Sequence, residues 1–286
     1  MVSEGILARI RSSAEQNLFL LRKLLSLTVP IAAYEGWERD EMNTLGYVLT
    51  ACARSSESSL LLIAYGQFWD AEILVRSVAE GTLKFAYLLQ SRDTFKQRYQ
   101  EYSHDLLQVA LLKDHGKAEE LLASVSNPDD EEWKPIRDRL LGDQELQELR
   151  AAHPSAGRRD LEARWGFARM MGTLSRPGEG RVEAVNALAH GYATSSHVHH
   201  VDYVGAILPF EHDSRPVERR DAVHVAHASR LISDVMSFFL IRLMVGYRFV
   251  RHEAQQLRAA SEEIQALKNT FGDGYETWMH VEYADR

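Results

Sequence analysis

Histidines are the residues best suited to chemistry in this sequence, and they are unevenly distributed. Four of the 12 histidines fall within the eleven residues from His190 to His200, and His224 and His227 follow further on, three residues apart. Neutral imidazole near pH 7 suits proton transfer, and guanidinium suits phosphate oxygens. The region from His190 to His227 is therefore a candidate for acid–base catalysis.

The same histidines have a second interpretation, as metal ligands. Imidazole with a nearby carboxylate can hold zinc, iron or manganese. The candidate ligands are close together in the sequence: His197, His199, His200 and Asp202. Their spacing matches no recognised ligand motif, and solvated histidines are the alternative, so the sequence leaves the cofactor undetermined.

Arginine and histidine pairs offer a third pattern, because some all-helical ribonucleases use an arginine followed closely by a histidine. The pairs of this kind are Arg98/His104, Arg219/His224 and Arg220/His227. Their number is no greater than chance predicts for this composition. Arg219, His224 and His227 carry most weight, since they lie at the predicted start of a helix.

A ladder of alternating charge runs along one predicted helix, from Phe68 to about Leu89. Its members are four residues apart and share a face: Glu72, Arg76, Glu80 and Lys84. Such a ladder is typical of an exposed face. However, apolar residues cover most of this helix, which would place the charges inside the bundle. Buried ions are costly unless they are paired or serve a function. Both interpretations stay open.

The elements that must position these residues are predicted to be helices. Apolar residues recur three and four apart over long windows, which predicts an all-α multi-helix bundle. We expect one helical domain over 1–286, with its core at 1–125 and 181–268 and a charged helical elaboration at 126–180. A long C-terminal helix is predicted from about Val217 towards Lys268, with Gly246 as a candidate bend. A pattern of this length indicates either a coiled-coil-like projection or two stacked helices.

Composition limits the compartment and the partners. The net charge of −8 argues against a broad nucleic-acid surface. The single cysteine, Cys52, excludes an intrachain disulfide, and the N-terminus lacks the features of a signal peptide. We therefore expect a cytoplasmic protein with no membrane span. Apolar groups on several faces of the last helix, among them Phe238 and Phe249, predict a homo-oligomer.

Two segments resemble a known family. The stretch Leu74-Val75-Arg76-Ser77-Val78-Ala79-Glu80 and the later Asn186-Ala187-Leu188-Ala189-His190-Gly191 are similar to motifs of the bacterial all-helical domain-of-unknown-function family 5677. The resemblance spans about 60–202 and implies that Arg76, Glu80 and His190 form one polar cluster. The family supplies no activity.

The helical layout of that family is in turn similar to the HEPN superfamily, many of whose members are dimeric ribonucleases or partners in toxin, antitoxin and phage-defence systems. The chain departs from the HEPN pattern because no arginine stands at the expected distance before His190. Two hypotheses follow: a HEPN-like ribonuclease or nucleotide-processing effector that binds RNA or a nucleotide, or a non-enzymatic module that binds a protein partner.

Overall fold

The helices of the chain follow from its apolar periodicity and from local capping signals. We describe the fold from a computed structural model, in which residues 2–178, 180–182, 185–272 and 274–283 are described, with side chains from 185 to 190 left out. The described residues contain no strand, which confirms the all-α prediction. None of the helices in these ranges is long and apolar enough to cross a membrane.

The first half of the chain is helical with short connections. Its α-helices are α1 (Glu4–Leu24), α2 (Val29–Ala32), α3 (Arg39–Ala64), α4 (Phe68–Leu88), α5 (Arg92–Gln100), α6 (Leu106–Ser124) and α7 (Lys134–Arg137). Between them lie the 3₁₀ segments Leu25–Thr28 and Glu131–Trp133 and the π-helical segment Glu101–Asp105.

The second half carries the longest helix. The helices are α8 (Asp143–Ala152), α9 (Ser155–Arg164), α10 (Phe167–Leu174), α11 (Val185–His200), α12 (Tyr203–Asp213), α13 (Val217–Val250), α14 (Gln255–Phe271) and α15 (Gly274–Tyr283). Asp202 caps α12, because its carboxylate accepts a hydrogen bond from the Gly205 amide at 3.0 Å.

The chain forms two compact units, Met1–Ser91 with Met171–Arg286, and Arg92–Met170. The second unit begins earlier than the elaboration expected at 126–180, and the single-domain prediction stays a prediction. In the first unit, α4 packs against α3, α11 and α13, and α13 packs against α15. Fully buried side chains form its core, among them Ile10, Leu21, Leu60, Phe68, Phe85, Leu88, Phe239 and Tyr247.

The second unit is built around a buried carboxylate on the π-helical segment. Glu101 accepts a hydrogen bond from Trp165 Nε1 at 2.9 Å and pairs with Arg164 at 3.2 Å. His115 is also buried, and its Nδ1 accepts a hydrogen bond from the Leu141 amide at 3.0 Å. These contacts hold α6, α9 and the segment after α7 together.

The C-terminal pattern forms two helices that contact each other, α13 and α14, which is one of the two predicted alternatives, and Gly246 lies inside α13. The helix ends at Val250, because Arg251 adopts the left-handed conformation with φ 59° and the His252 amide bonds to the Tyr247 carbonyl. At Gly246 the chain stays helical, and the missing side chain leaves room for Ile31. Most apolar side chains of α13, including Phe238 and Phe249, are buried inside the first unit and give no support to self-association.

Candidate active site

A buried carboxylate lies at the centre of the first unit. Glu72, on α4, has 0% exposed surface. Its Oε1 accepts a hydrogen bond from Ser195 Oγ of α11 at 2.5 Å, and its Oε2 contacts His227 Nε2 of α13 at 2.7 Å. Arg230, one turn after His227, also donates to Oε2. Three helices therefore converge on one side chain.

The ionisation of Glu72 determines the state of His227. Burial alone would raise the pKa of Glu72, but the hydrogen bond from His227 and the positive charge of Arg230 lower it to about 2. Burial lowers the pKa of His227, against the opposing effect of Glu72, so the imidazole is neutral near pH 7. Because an ionised carboxylate can only accept, we assign the proton to Nε2 and an unprotonated lone pair to Nδ1.

Arg230 connects this pair to a second carboxylate. Its Nη1 donates to Asp234 Oδ2 at 3.0 Å, one further turn along α13. Burial raises the pKa of Asp234 to about 6, although Arg230 opposes the shift. Gly191 of α11 faces this ion pair, since a Cβ there would lie 3.3 Å from Arg230 Nη1 and 3.6 Å from Asp234 Oδ2. The small residue lets α11 approach the pair closely.

These groups line a cavity of about 530 Å³ in the first unit, a size usual for small-molecule sites. Three aromatic residues form part of its wall, namely Trp69, Tyr275 and Trp278. Its polar lining comprises Thr194, His212, His227, Ser229, Arg230, Ser233, Asp234 and Lys268. The cavity thus combines an aromatic surface with imidazole and carboxyl groups.

Three ring nitrogens of cavity-lining residues are buried without a hydrogen-bond partner in the described part of the chain. They are Trp278 Nε1, His212 Nδ1 and His227 Nδ1. Leaving a buried polar atom unpaired costs about 1–3 kcal/mol, so such atoms are uncommon outside sites that a ligand or water completes. Other such atoms lie elsewhere in the fold, among them Ser56 Oγ and His224 Nδ1, and these three are the ones that a ligand or water in the cavity can satisfy.

His212 and His224 support the site from α12 and the start of α13. Burial lowers the pKa of His212 to about 4, helped by the proximity of His227, which disfavours a second protonated imidazole, and by the positive charge of Arg215. His224 lies outside the cavity lining, and its Nε2 contacts Asp213 Oδ1 at 3.2 Å. The contact with Asp213 therefore links His224 of α13 to the end of α12, whereas His227 lines the cavity.

The predicted cluster of Arg76, Glu80 and His190 is only partly described. Arg76 Nε donates to Glu80 Oε1 at 3.1 Å, and both contact the Tyr192 hydroxyl at 3.0 Å. The Arg76 guanidinium also lies over the Tyr192 ring, 4.6 Å from its centroid. The backbone of His190 belongs to α11, but its side chain lies outside the described residues.

The predicted arginine and histidine pairs have other partners in the structure. Arg219 lies 3.9 Å from Glu282 of α15, and Arg220 lies 3.9 Å from Asp221. His224 and His227, the histidines of the pairs formed with Arg219 and Arg220, contact Asp213 and Glu72 instead. The arginine that shares a carboxylate with His227 is Arg230, which follows the histidine in sequence.

The predicted metal ligands lie at the end of α11. His197 Nδ1 contacts Asp202 Oδ2 at 2.6 Å, while His199 and His200 are exposed and their ring centroids are 5.0 Å apart. Among the described side chains, no group of three or more potential ligands is arranged to hold a metal ion.

The sequence analysis named His227 as a candidate but did not name four residues around it as site residues: Glu72, Ser195, Arg230 and Asp234. The sequence contains one signal that could have indicated two of these residues, Arg230 and Asp234. His227, Arg230 and Asp234 are three and four residues apart on a helix and so share a face. Glu72 appeared in the charge ladder, where its type and spacing could not show that it is the buried member.

Comparison with known proteins gives one result. Residues 42–169 match a family of unknown function (DUF5677). The matched segment contains Glu72, Arg76 and Glu80 and ends before α11, so it excludes His190, His227 and Asp234. No curated protein and no solved structure matches the chain. The comparisons therefore support an uncharacterised family and leave the cavity to be interpreted from its geometry.

The raised pKa of Asp234 predicts a pH-dependent stability difference. Between 3.8 and about 6, the folded protein keeps a proton on Asp234 that the unfolded chain has released. Stability of the wild type therefore falls as pH rises through this window, relative to a variant that does not titrate there. We expect the unfolding free energy of Asp234→Asn minus that of the wild type to increase across the window and then level off. Denaturant unfolding at a series of pH values measures it, and a constant difference would contradict the assignment.

Proposed function

We propose that this chain is an acid–base enzyme that cleaves a phosphate ester of a nucleotide-sized substrate in the 530 Å³ cavity. The observation that supports it best is His227. Its Nε2 is bound to an ionised, fully buried carboxylate, and its Nδ1 is unpaired within the described residues. A carboxylate that orients a neutral histidine is the arrangement by which enzymes make a general base.

The remaining groups complete the reaction. His227 Nδ1 takes the proton of an attacking water or hydroxyl while its oxygen forms a bond to phosphorus. Glu72 stabilises the resulting imidazolium. The bond from phosphorus to the leaving oxygen breaks, and protonated Asp234, whose pKa of about 6 leaves it partly protonated near neutrality, gives its proton to that oxygen. Proton exchange with solvent then restores both residues.

The cavity supports a small substrate better than a long RNA. A planar base can pack against the aromatic wall of Trp69, Tyr275 and Trp278, as aromatic side chains commonly do. The net charge of −8 gives no attraction for a polyanion. The nucleotide-processing form of the sequence hypothesis is therefore proposed ahead of a HEPN-like ribonuclease in a toxin or phage-defence setting. The non-enzymatic partner-binding module is the outcome if no turnover is found.

His227→Gln tests the proposal directly. We expect purified wild-type protein to turn over at least one member of a panel of nucleotides, cyclic nucleotides, dinucleotides and short RNAs, assayed with and without divalent cations. His227→Gln should lower kcat/KM by about 10²–10⁴, the usual contribution of a general base. His200→Gln is the matched control, because His200 is exposed and lines no part of the cavity.

Two results would overturn the proposal. One is an inactive wild type across the panel, and the other is full activity in a folded His227→Gln variant. Loss of activity in His200→Gln equal to that in His227→Gln would show that the effect is not specific to the cavity.

A further inference from the structure

A second, smaller cavity adjoins the first one in the same unit. It has a volume of about 120 Å³ and is lined by α1, α13 and α14. Three residues line both cavities: Ser229, Ser233 and Lys268. The two cavities are therefore neighbours that share these three residues.

The small cavity differs from the large one in its chemistry. Its polar lining consists of hydroxyl and amide groups and one ammonium group: Ser13, Asn17, Ser229, Ser233, Ser237, Ser261, Gln265 and Lys268. None of the described residues that line it is acidic. Hydroxyls, amides and an ammonium group are donors that suit phosphate oxygens, and the absence of a carboxylate removes repulsion.

Lys268 is the cation in this region that remains available to a ligand. Arg230 also lines the large cavity, but it is already paired with Glu72 and Asp234. Lys268 forms no hydrogen bond or close ion pair within the part of the chain that the structure describes, although its positive charge also acts on Asp234. A new anion would therefore gain more from Lys268 than from Arg230, which it would have to share with two carboxylates.

We propose that the small cavity is a phosphate subsite, in which Lys268 and the hydroxyls of Ser229 and Ser233 bind a phosphate group of the substrate beyond the reacting centre. This inference rests on the proposed function and narrows its substrate class to nucleotides with a phosphate group in addition to the one attacked. Lys268 binds in this scheme and takes no part in proton transfer.

Equilibrium binding of three probes tests the subsite: adenosine, AMP and ADP. Titrations followed by tryptophan fluorescence or calorimetry are made in a His227→Gln background, which prevents turnover during the measurement. We expect ADP to bind at least about 10-fold more tightly than adenosine, as one charge-assisted contact allows. Lys268→Gln should remove that gain and leave adenosine affinity within about 2-fold, while Lys268→Arg keeps most of it.

Lys117→Gln is the control, because Lys117 is exposed, carries the same charge and lines neither cavity. The proposal is overturned if ADP gains nothing over adenosine, or if Lys268→Gln keeps the full gain. These outcomes differ from failure of the proposed enzyme. A protein that shows Lys268-dependent ADP binding but no turnover contradicts catalysis alone, and turnover without Lys268 dependence contradicts the subsite alone.

Discussion

Replacing Glu72 by alanine is expected to lower the free energy of unfolding by about 3–5 kcal/mol, the usual cost of breaking a buried ion pair by removing one partner. The change leaves Arg230, His227 and Ser195 without the carboxylate that joins α4, α11 and α13. It also opens a cavity beside the packed core. Denaturant unfolding followed by circular dichroism measures the loss.

A surface carboxylate provides the control for Glu72. Glu57 pairs with Arg22 at 3.0 Å, but both side chains are partly exposed, so Glu57→Ala should change stability little. Equal effects of the two substitutions would show that the contacts of Glu72 do not stabilise the fold.

The pH dependence separates the charge of Glu72 from its packing. The folded-state pKa of about 2 lies below the ordinary value of 4.5, so the charge of Glu72 stabilises the fold above that value, and this contribution is lost as pH falls towards 2. Glu72→Gln keeps the shape and an acceptor but has no charge. We expect the wild type to be more stable than Glu72→Gln at neutral pH and the difference to shrink through this window. A difference that does not change with pH would contradict the low pKa.

Replacing Gly205 by alanine is the second change with a large expected effect, about 3 kcal/mol of stability, the upper part of the range for overpacking. A Cβ at this position would lie 2.0 Å from the His197 carbonyl oxygen, so α12 and α11 would have to separate. Because backbone atoms cannot rotate away as a side chain can, the strain is not relieved locally. Leu208 and His212 line the cavity from the same helix, and we expect ligand binding to weaken as well.

Gly46→Ala is the matched comparison for Gly205. It lies within α3, and a Cβ there would meet nothing within 4 Å. Alanine restricts the unfolded chain and favours the helix, so this substitution should stabilise the protein by about 0.4–1 kcal/mol. Parallel thermal and denaturant unfolding of the two variants gives the comparison. A Gly205→Ala variant as stable as the wild type would show that α11 and α12 do not pack as described.

The helices could be predicted from the sequence because their signals are local. The pattern of α4 predicted a helix from Phe68 to about Leu89, and the structure has it at Phe68–Leu88. The end of α13 was missed for a physical reason. Arg251 adopts a positive φ, a conformation that glycine favours, so its residue type gives no stop signal.

The candidate site was only partly predictable, since the residues that surround Glu72 are far apart in the chain. Ser195 is 123 residues away, His227 155 and Arg230 158. The residue type of the histidines indicates their chemistry, and the spacing of His227, Arg230 and Asp234 indicates that they share a helix face. The spacing cannot show which helix this face packs against.

By itself, the sequence of this protein determined its helical class, the position of its central helix and the presence of histidines suited to proton transfer. All three follow from residue types and from the 3.6-residue period, which is a property of neighbouring residues. Only the tertiary structure decided that Glu72 is the buried member of the charge ladder and that Arg230 and Asp234 belong to the cavity. Charges four residues apart give the same pattern on an exposed face and inside a bundle, and their burial depends on which helices pack against them.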